Sequence, residues 1–112
     1  MSAEGLKNSV ESPAEFGAVY REHARLVLVH LTRRTFDPEA ALDLTAETFA
    51  QAFASRRRFR GETDDDVARW LLGIANHVLA RSVRRGRAER RAVRRLGIDV
   101  PALEPEDREL GR

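Results

Sequence analysis

Cysteine is absent from the 112 residues, which excludes disulfides, thiol chemistry and cysteine-bound metals. Long apolar runs are absent too. None approaches the ~18 residues that a membrane span needs. The opening stretch MSAEGLKNSVES is polar and lacks the apolar core of a secretory signal. These absences lead to an expectation of a cytoplasmic protein without a membrane partner. Glycine-rich phosphate loops are missing, since Gly61, Gly73 and Gly86 stand far apart. No nucleophile–base–acid set occurs. The carboxylate run Asp64–Asp66 precedes an apolar periodic stretch, where helix capping explains it. His23 and His30 are seven residues apart and His77 is remote, so no pair has the spacing of metal ligands. They read as partly buried or surface histidines. An enzymatic reading has no site to stand on, and neither a cofactor nor a metal is expected.

Lysine is nearly absent: nineteen of the twenty basic residues are arginine. Arginine's planar fork suits phosphate, although a GC-rich genome would have the same effect. The net charge of +2 conceals a segregation. Residues 1–55 carry five basic against eight acidic side chains, a net of −3. Residues 56–95 carry thirteen arginines against five acids, a net of +8, and residues 96–112 return to −3. A block of +8 over forty residues attracts polyanions in a salt-dependent way. A solvated helix face accounts for the same charge with no partner.

Length bounds the fold to one small domain with a single core of a few helices. Residues 1–11 read as a tail. Ser12-Pro13-Ala14-Glu15 has the form of a capping box with proline at the first helical position. Phe16, Val19/Tyr20, His23, Leu26/Val27 and His30/Leu31 then recur at helical spacing, predicting a helix from Pro13 to about Arg34. Asp37-Pro38-Glu39 restarts a helix that continues to about Arg57. Its inward stripe is read as Leu42, Thr45/Ala46, Phe49 and Phe53. A second face of Asp43, Glu47, Ala50 and Ala54, edged by Leu44 and Gln51, is acidic with small residues. It suits a basic protein surface, or is merely solvated.

Arg56-Arg57-Arg58-Phe59-Arg60-Gly61 follows. Four arginines around one ring have the composition of a single-strand nucleic-acid contact. Phe59 equally suits a core position that closes the bundle. Gly61 is read as ending or bending the chain. A residue of Thr63–Asp66 caps a third helix with apolar positions Val67, Trp70/Leu71, Ile74, Val78 and Val83, Leu79 lying beside them. Trp70 lies on that stripe and reads as core. Ala88, Ala92, Val93 and Leu96 add a turn or two of helix after a weak join at Gly86, stopped by Gly97. The prolines and acids of residues 98–112 read as a linker.

Several of these pieces, in this order, resemble region 2 of bacterial RNA polymerase sigma factors of the extracytoplasmic-function class. They are Leu31-Thr32-Arg33-Arg34 before Asp37, DLTAETFAQAF at 43–53, RFRG at 58–61, WLLGIA at 70–75, and Arg84-Arg85. The resemblance covers about Phe16 to Arg95. It implies an all-α three-helix bundle with a short basic helical extension, residues 12–97 forming the domain. It implies that Asp43, Leu44, Glu47, Thr48 and Gln51 grip the clamp helices of the polymerase β′ subunit. It implies that Arg56, Arg57, Arg58, Phe59 and Arg60 hold the unpaired non-template strand of the minus-ten promoter element, Phe59 lining a pocket for a flipped base. Asn76, His77, Arg81, Arg84 and Arg85 fall on the helix that reads the upstream edge of that element and parts the strands. The implied partners are core RNA polymerase, promoter DNA and an anti-sigma factor covering the same faces.

The chain departs from the family pattern at Ala46, where many members carry glutamine, and at His77, where many carry asparagine. Its stretch between Phe59 and Trp70 is longer and carries three aspartates. Region 4, the usual second domain, is not expected within a chain that stops at Arg112, near the implied linker. Two rivals remain at this stage. One is a regulator whose arginine-rich helix lies in the major groove of duplex DNA. The other is a sigma-like module that binds polymerase or an anti-sigma factor without touching DNA.

Overall fold

The computed structural model describes residues 10–97, which divide into two compact units at Leu79/Ala80. Among the described residues every regular element is helical: α1 (Phe16–Thr35), α2 (Pro38–Ala54), a 3₁₀ turn (Arg56–Arg58) and α3 (Asp64–Arg95). The all-α expectation holds. The first unit contains the bundle core, and α3 continues beyond it into the second.

The expected start of α1 is corrected. Ser12 organises a turn through its carbonyl, which accepts the N–H groups of Glu15 and Phe16. The helix begins at Phe16 without a side-chain cap. The tail reading fails at its last two positions, since Val10 and Glu11 are helical and Val10 is fully buried. Residues 1–9 of that tail and the linker over 98–112 lie outside the described residues. The inward face of α1 is Phe16, Val19, His23, Val27 and Leu31, one phase of the expected pairs; Tyr20 and Leu26 stay exposed. At its C-terminus Phe36 adopts the left-handed conformation, φ 55°, with its N–H donating to the Thr32 carbonyl and its ring 86% exposed.

Asp37 caps α2 as expected, its Oδ1 accepting from the N–H groups of Glu39 and Ala40. The inward stripe is corrected by one position. The buried residues are Ala41, Leu44, Thr45, Thr48, Phe49 and Ala52, while Leu42, Ala46 and Phe53 are exposed. Small residues share the buried face with Leu44 and Phe49, where α2 packs on α1. The two threonines are tolerated there because each hydroxyl donates to a carbonyl one turn back, Thr45 to Ala41 and Thr48 to Leu44, both at 2.7 Å. Phe53 and Tyr20 still contribute at the rim. Phe16–Phe53 and Tyr20–Phe49 meet edge to face at 5.3 and 4.9 Å, a geometry that aromatic quadrupoles favour.

Phe59 closes the core. Its side chain is 2% exposed and its ring lies 5.3 Å from that of Trp70, which packs half-buried against the same cluster as read from its stripe. Val67, Leu71, Ala75 and Val78 form the inward face of α3. Gly61 is required by proximity: a Cβ there would lie 2.5 Å from Phe59 Cζ and closer still to Asp66 Cβ.

In the second unit α3 runs through the weak join at Gly86 as one unbroken helix. The glycine costs about 1 kcal/mol of helix propensity, and the arginines, alanine and glutamate around it are good helix formers. Gly97, φ 69°, stops the helix as read, its N–H donating to the Arg94 carbonyl. The basic extension is therefore a continuation of α3. Val83, read as apolar-stripe, is exposed.

Truncating Phe59 to alanine is expected to cost about 3–5 kcal/mol, the range for buried aromatic residues, read as a fall in urea midpoint. Gly61→Ala is expected to destabilise as well, because the Phe59 ring and the Asp66 backbone must both shift. A Gly61→Ala midpoint equal to that of the parent would contradict the close approach.

Candidate protein and nucleic-acid interfaces

The outward face of α2 follows from its corrected phase. Asp43 is exposed, as are Leu42, Ala46 and Ala50, and Glu47 and Gln51 are half-buried at the edge. Leu44 (7% exposed) and Thr48 (0%) point into the bundle. They are corrected from contact residues to core residues. The acidic face is thus Asp43, Glu47 and Gln51 with an apolar complement, of which Leu42, 57% exposed, went unread as a surface residue. Its signal was available in sequence: Ala41, Leu44/Thr45, Thr48 and Ala52 keep a helical period as regular as the larger apolar set.

The hinge after α2 sorts its arginines. Arg56 is bound inward. Its Nε donates to the Glu11 carbonyl at 2.8 Å, its Nη1 to the Phe53 carbonyl at 2.7 Å, and its guanidinium lies 4.1 Å from the Phe53 ring centroid. Arg60 folds back to donate to the carbonyls of Arg57 and Phe59. The side chains of Arg57 and Arg58 are exposed and make no hydrogen bond to another described residue. Of the five residues read as strand contacts, two therefore present free cations, two brace the hinge, and Phe59 is buried. Its ring is not an open stacking surface here, so the base-pocket role is corrected to core closure.

Residues 19–89 match the sequence pattern of sigma-70 region 2. The chain belongs to the sigma-70 region 2 family. One curated relative, RNA polymerase sigma factor YlaC of Bacillus subtilis (strain 168), is 36% identical over 67 residues, which cover 60% of this chain and 38% of the relative. The chain thus matches well under half the relative's length. No solved structure matches it significantly.

Within this region 2 domain, the start of α3 is held by a reciprocal cap. Thr63 Oγ1 accepts the Asp66 N–H at 3.1 Å, and Asp66 Oδ2 accepts the N–H groups of Glu62 and Thr63 at 2.8 and 3.1 Å. Arg69 adds an ion pair at 3.1 Å. The N–H groups of Glu62 and Thr63 hold the Asp66 carboxyl below its ordinary value, with Arg69 contributing less. Asn76 and His77 are both exposed on the next turns. His30 Nε2 donates to Asn76 Oδ1 at 2.7 Å, tying α1 to α3 and leaving the amide N–H₂ of Asn76 outward. His30 was not read as a partner in sequence, since 46 residues separate the two. Glu22, His23 and Asp64 bring ligand-type atoms within 4.8 Å of one another, an imidazole–carboxylate cluster that the spacing of the histidines alone did not signal. Among the described residues no helix is long and apolar enough to cross a membrane.

Arg81, Arg84 and Arg85 lie in the second unit and are exposed. Arg84 lines a cleft with Arg87, Arg90, Arg91 and Arg94.

A carboxyl lowered on folding contributes stability above its unfolded value of 3.8, and that stability is lost as pH falls through the lowered folded value. The unfolded chain binds more protons in that window, so stability rises with pH there. Thermal melts between about pH 5 and 2.5 are expected to show a shallower acid limb for Asp66→Asn than for the parent. Identical limbs would remove Asp66 from the acid response.

Proposed function

We propose that this domain binds core RNA polymerase and captures the non-template strand of a minus-ten promoter element during transcription initiation. It acts as the region 2 of a sigma factor of the extracytoplasmic-function class, in the cytoplasm, and it is a recognition module, not an enzyme. The observation that carries the reading is the pairing of family and surface: residues 19–89 are region 2, and the outward side of α2 is acidic where the hinge presents free arginines.

The polymerase contact is assigned to Asp43, Glu47 and Gln51 with Leu42 and Ala46. A carboxylate flanked by exposed apolar side chains can meet a basic helix pair while removing apolar surface from water. An anti-sigma factor competing for this face would silence the domain. On the DNA side, Arg57 and Arg58 neutralise phosphates of the parted strand, and Arg56 and Arg60 hold the hinge that aims them. Asn76 presents two N–H donors to acceptor atoms on a base edge or phosphate, and His77 lies beside it. Arg81, Arg84 and Arg85 add charge for the duplex at the edge of the melted stretch. Strand parting costs a few kcal/mol per unstacked step, which captured bases and phosphate contacts must offset.

Fluorescence anisotropy against single-stranded minus-ten oligonucleotides, with and without a β′ clamp fragment, tests the reading. Sequence-selective binding that the clamp strengthens is expected. The double change Arg57→Ala/Arg58→Ala is expected to lower the salt slope of single-strand binding by about 1.4, at ~0.7 per phosphate contact. Asp43→Arg is expected to weaken clamp binding by at least about tenfold, since opposed like charges cost several kcal/mol. Binding to duplex DNA alone, indifferent to the clamp, would replace this reading with that of a duplex regulator. Clamp binding without any DNA preference would reduce the domain to an interaction module.

A further inference from the structure

Residues 80–97 hold eight arginines and one acid, a net of +7 in eighteen residues. At 100° per residue, Arg84, Arg87, Arg90, Arg91 and Arg94 fall on one helix face about 120° wide, with Glu89 on the far side. Their side chains line a single open cleft of about 420 Å³. All five are exposed, and none has an ion-pair or hydrogen-bond partner among the described residues. Arg84/Arg87, Arg87/Arg90, Arg87/Arg91, Arg90/Arg94 and Arg91/Arg94 stand three or four apart, so each guanidinium has like-charged neighbours that weaken the helix. A fold that places on one face five cations with no partner among the described residues gains stability when a polyanion takes that face.

We propose that this face is a sequence-independent clamp on the phosphate backbone of duplex DNA, separate from the strand-capturing hinge. Two features choose the ligand. Residues 80–97 contain no Phe, Trp, Tyr or His, so the face lacks the stacking platform that single-strand binding uses alongside charge. Arg84 to Arg94 span about 15 Å along the helix, an extended row matched to several backbone phosphates of a duplex more than to one compact anion. Arginine forks bind each phosphate bidentately. The site extends past Arg84 and Arg85 to Arg87, Arg90, Arg91 and Arg94, and Arg90, Arg91 and Arg94 lie outside the stretch that matches region 2. It rests on the promoter-binding reading only in taking DNA as the polyanion.

The test is anisotropy of the full chain on a labelled duplex of unrelated sequence, titrated at several salt concentrations. The variants are Arg87→Gln/Arg90→Gln/Arg94→Gln and the charge-keeping Arg87→Lys/Arg90→Lys/Arg94→Lys. Circular dichroism and thermal melts check that the bundle stays folded in both. The parent is expected to bind the duplex, and the glutamine variant's salt slope is expected to be smaller by about 2.7, at ~0.9 per phosphate. Between 50 and 200 mM salt, the parent should then lose about forty-fold more affinity than the glutamine variant. The lysine variant should keep the parent's slope. No duplex binding by the parent at low salt, or an unchanged slope in the glutamine variant, overturns the proposal. So does tripolyphosphate displacing the duplex at equimolar phosphate, which would mark a small-anion pocket. Failure of the Arg57/Arg58 prediction on single strands leaves this result untouched, so the two readings fail separately.

Discussion

The packing of Phe59 beneath Trp70 is the contact on which the first unit depends. It brings the chain back to the bundle between α2 and α3, and it leaves so little room at Gly61 that no side chain fits there. Because the backbone is drawn in at that point, Asp66 reaches the N–H groups of Glu62 and Thr63, and α3 starts on a complete cap. The arginines on either side are positioned by the same closure. Arg56 and Arg60 are spent on hinge carbonyls, while Arg57 and Arg58 stand in solvent. A burying ring between exposed cations separates structural from binding arginines within five residues.

The packing of α1 on α2 sets the other face. Ala41, Thr45, Thr48 and Ala52 share the buried face with Leu44 and Phe49, and backbone carbonyls satisfy the threonine hydroxyls. Leu42 and Ala46 are thereby released to the outside next to Asp43. The result is an acidic surface with apolar flanks, more suited to docking than a purely charged face would be.

Much of this was legible in the residues. The three helices, the aspartate cap of α2, the capped start of α3, the stop at Gly97 and the core role of Trp70 follow from spacing and cap chemistry. The order of DLTAETF, RFRG and WLLGIA was enough to point to the family. The phase of α2 was not legible, because Leu42 and Phe53 outrank Ala41 and Thr48 in hydrophobicity. Helix proximity, a property of two elements together, decided for the small residues. Phe59 was balanced between two roles for a similar reason: its neighbours in sequence are cations, and its neighbours in space are Trp70 and the core.

By itself the sequence determined the helical class, the segregation of charge and the family, since period, caps and motif order are local properties of the chain. Tertiary structure decided which arginines are free, which face of α2 is outward, and that His30 holds Asn76. Those outcomes depend on contacts between residues far apart in the chain, such as the 45 residues separating Arg56 from Glu11. Local pattern carries no information about such contacts until the core closes.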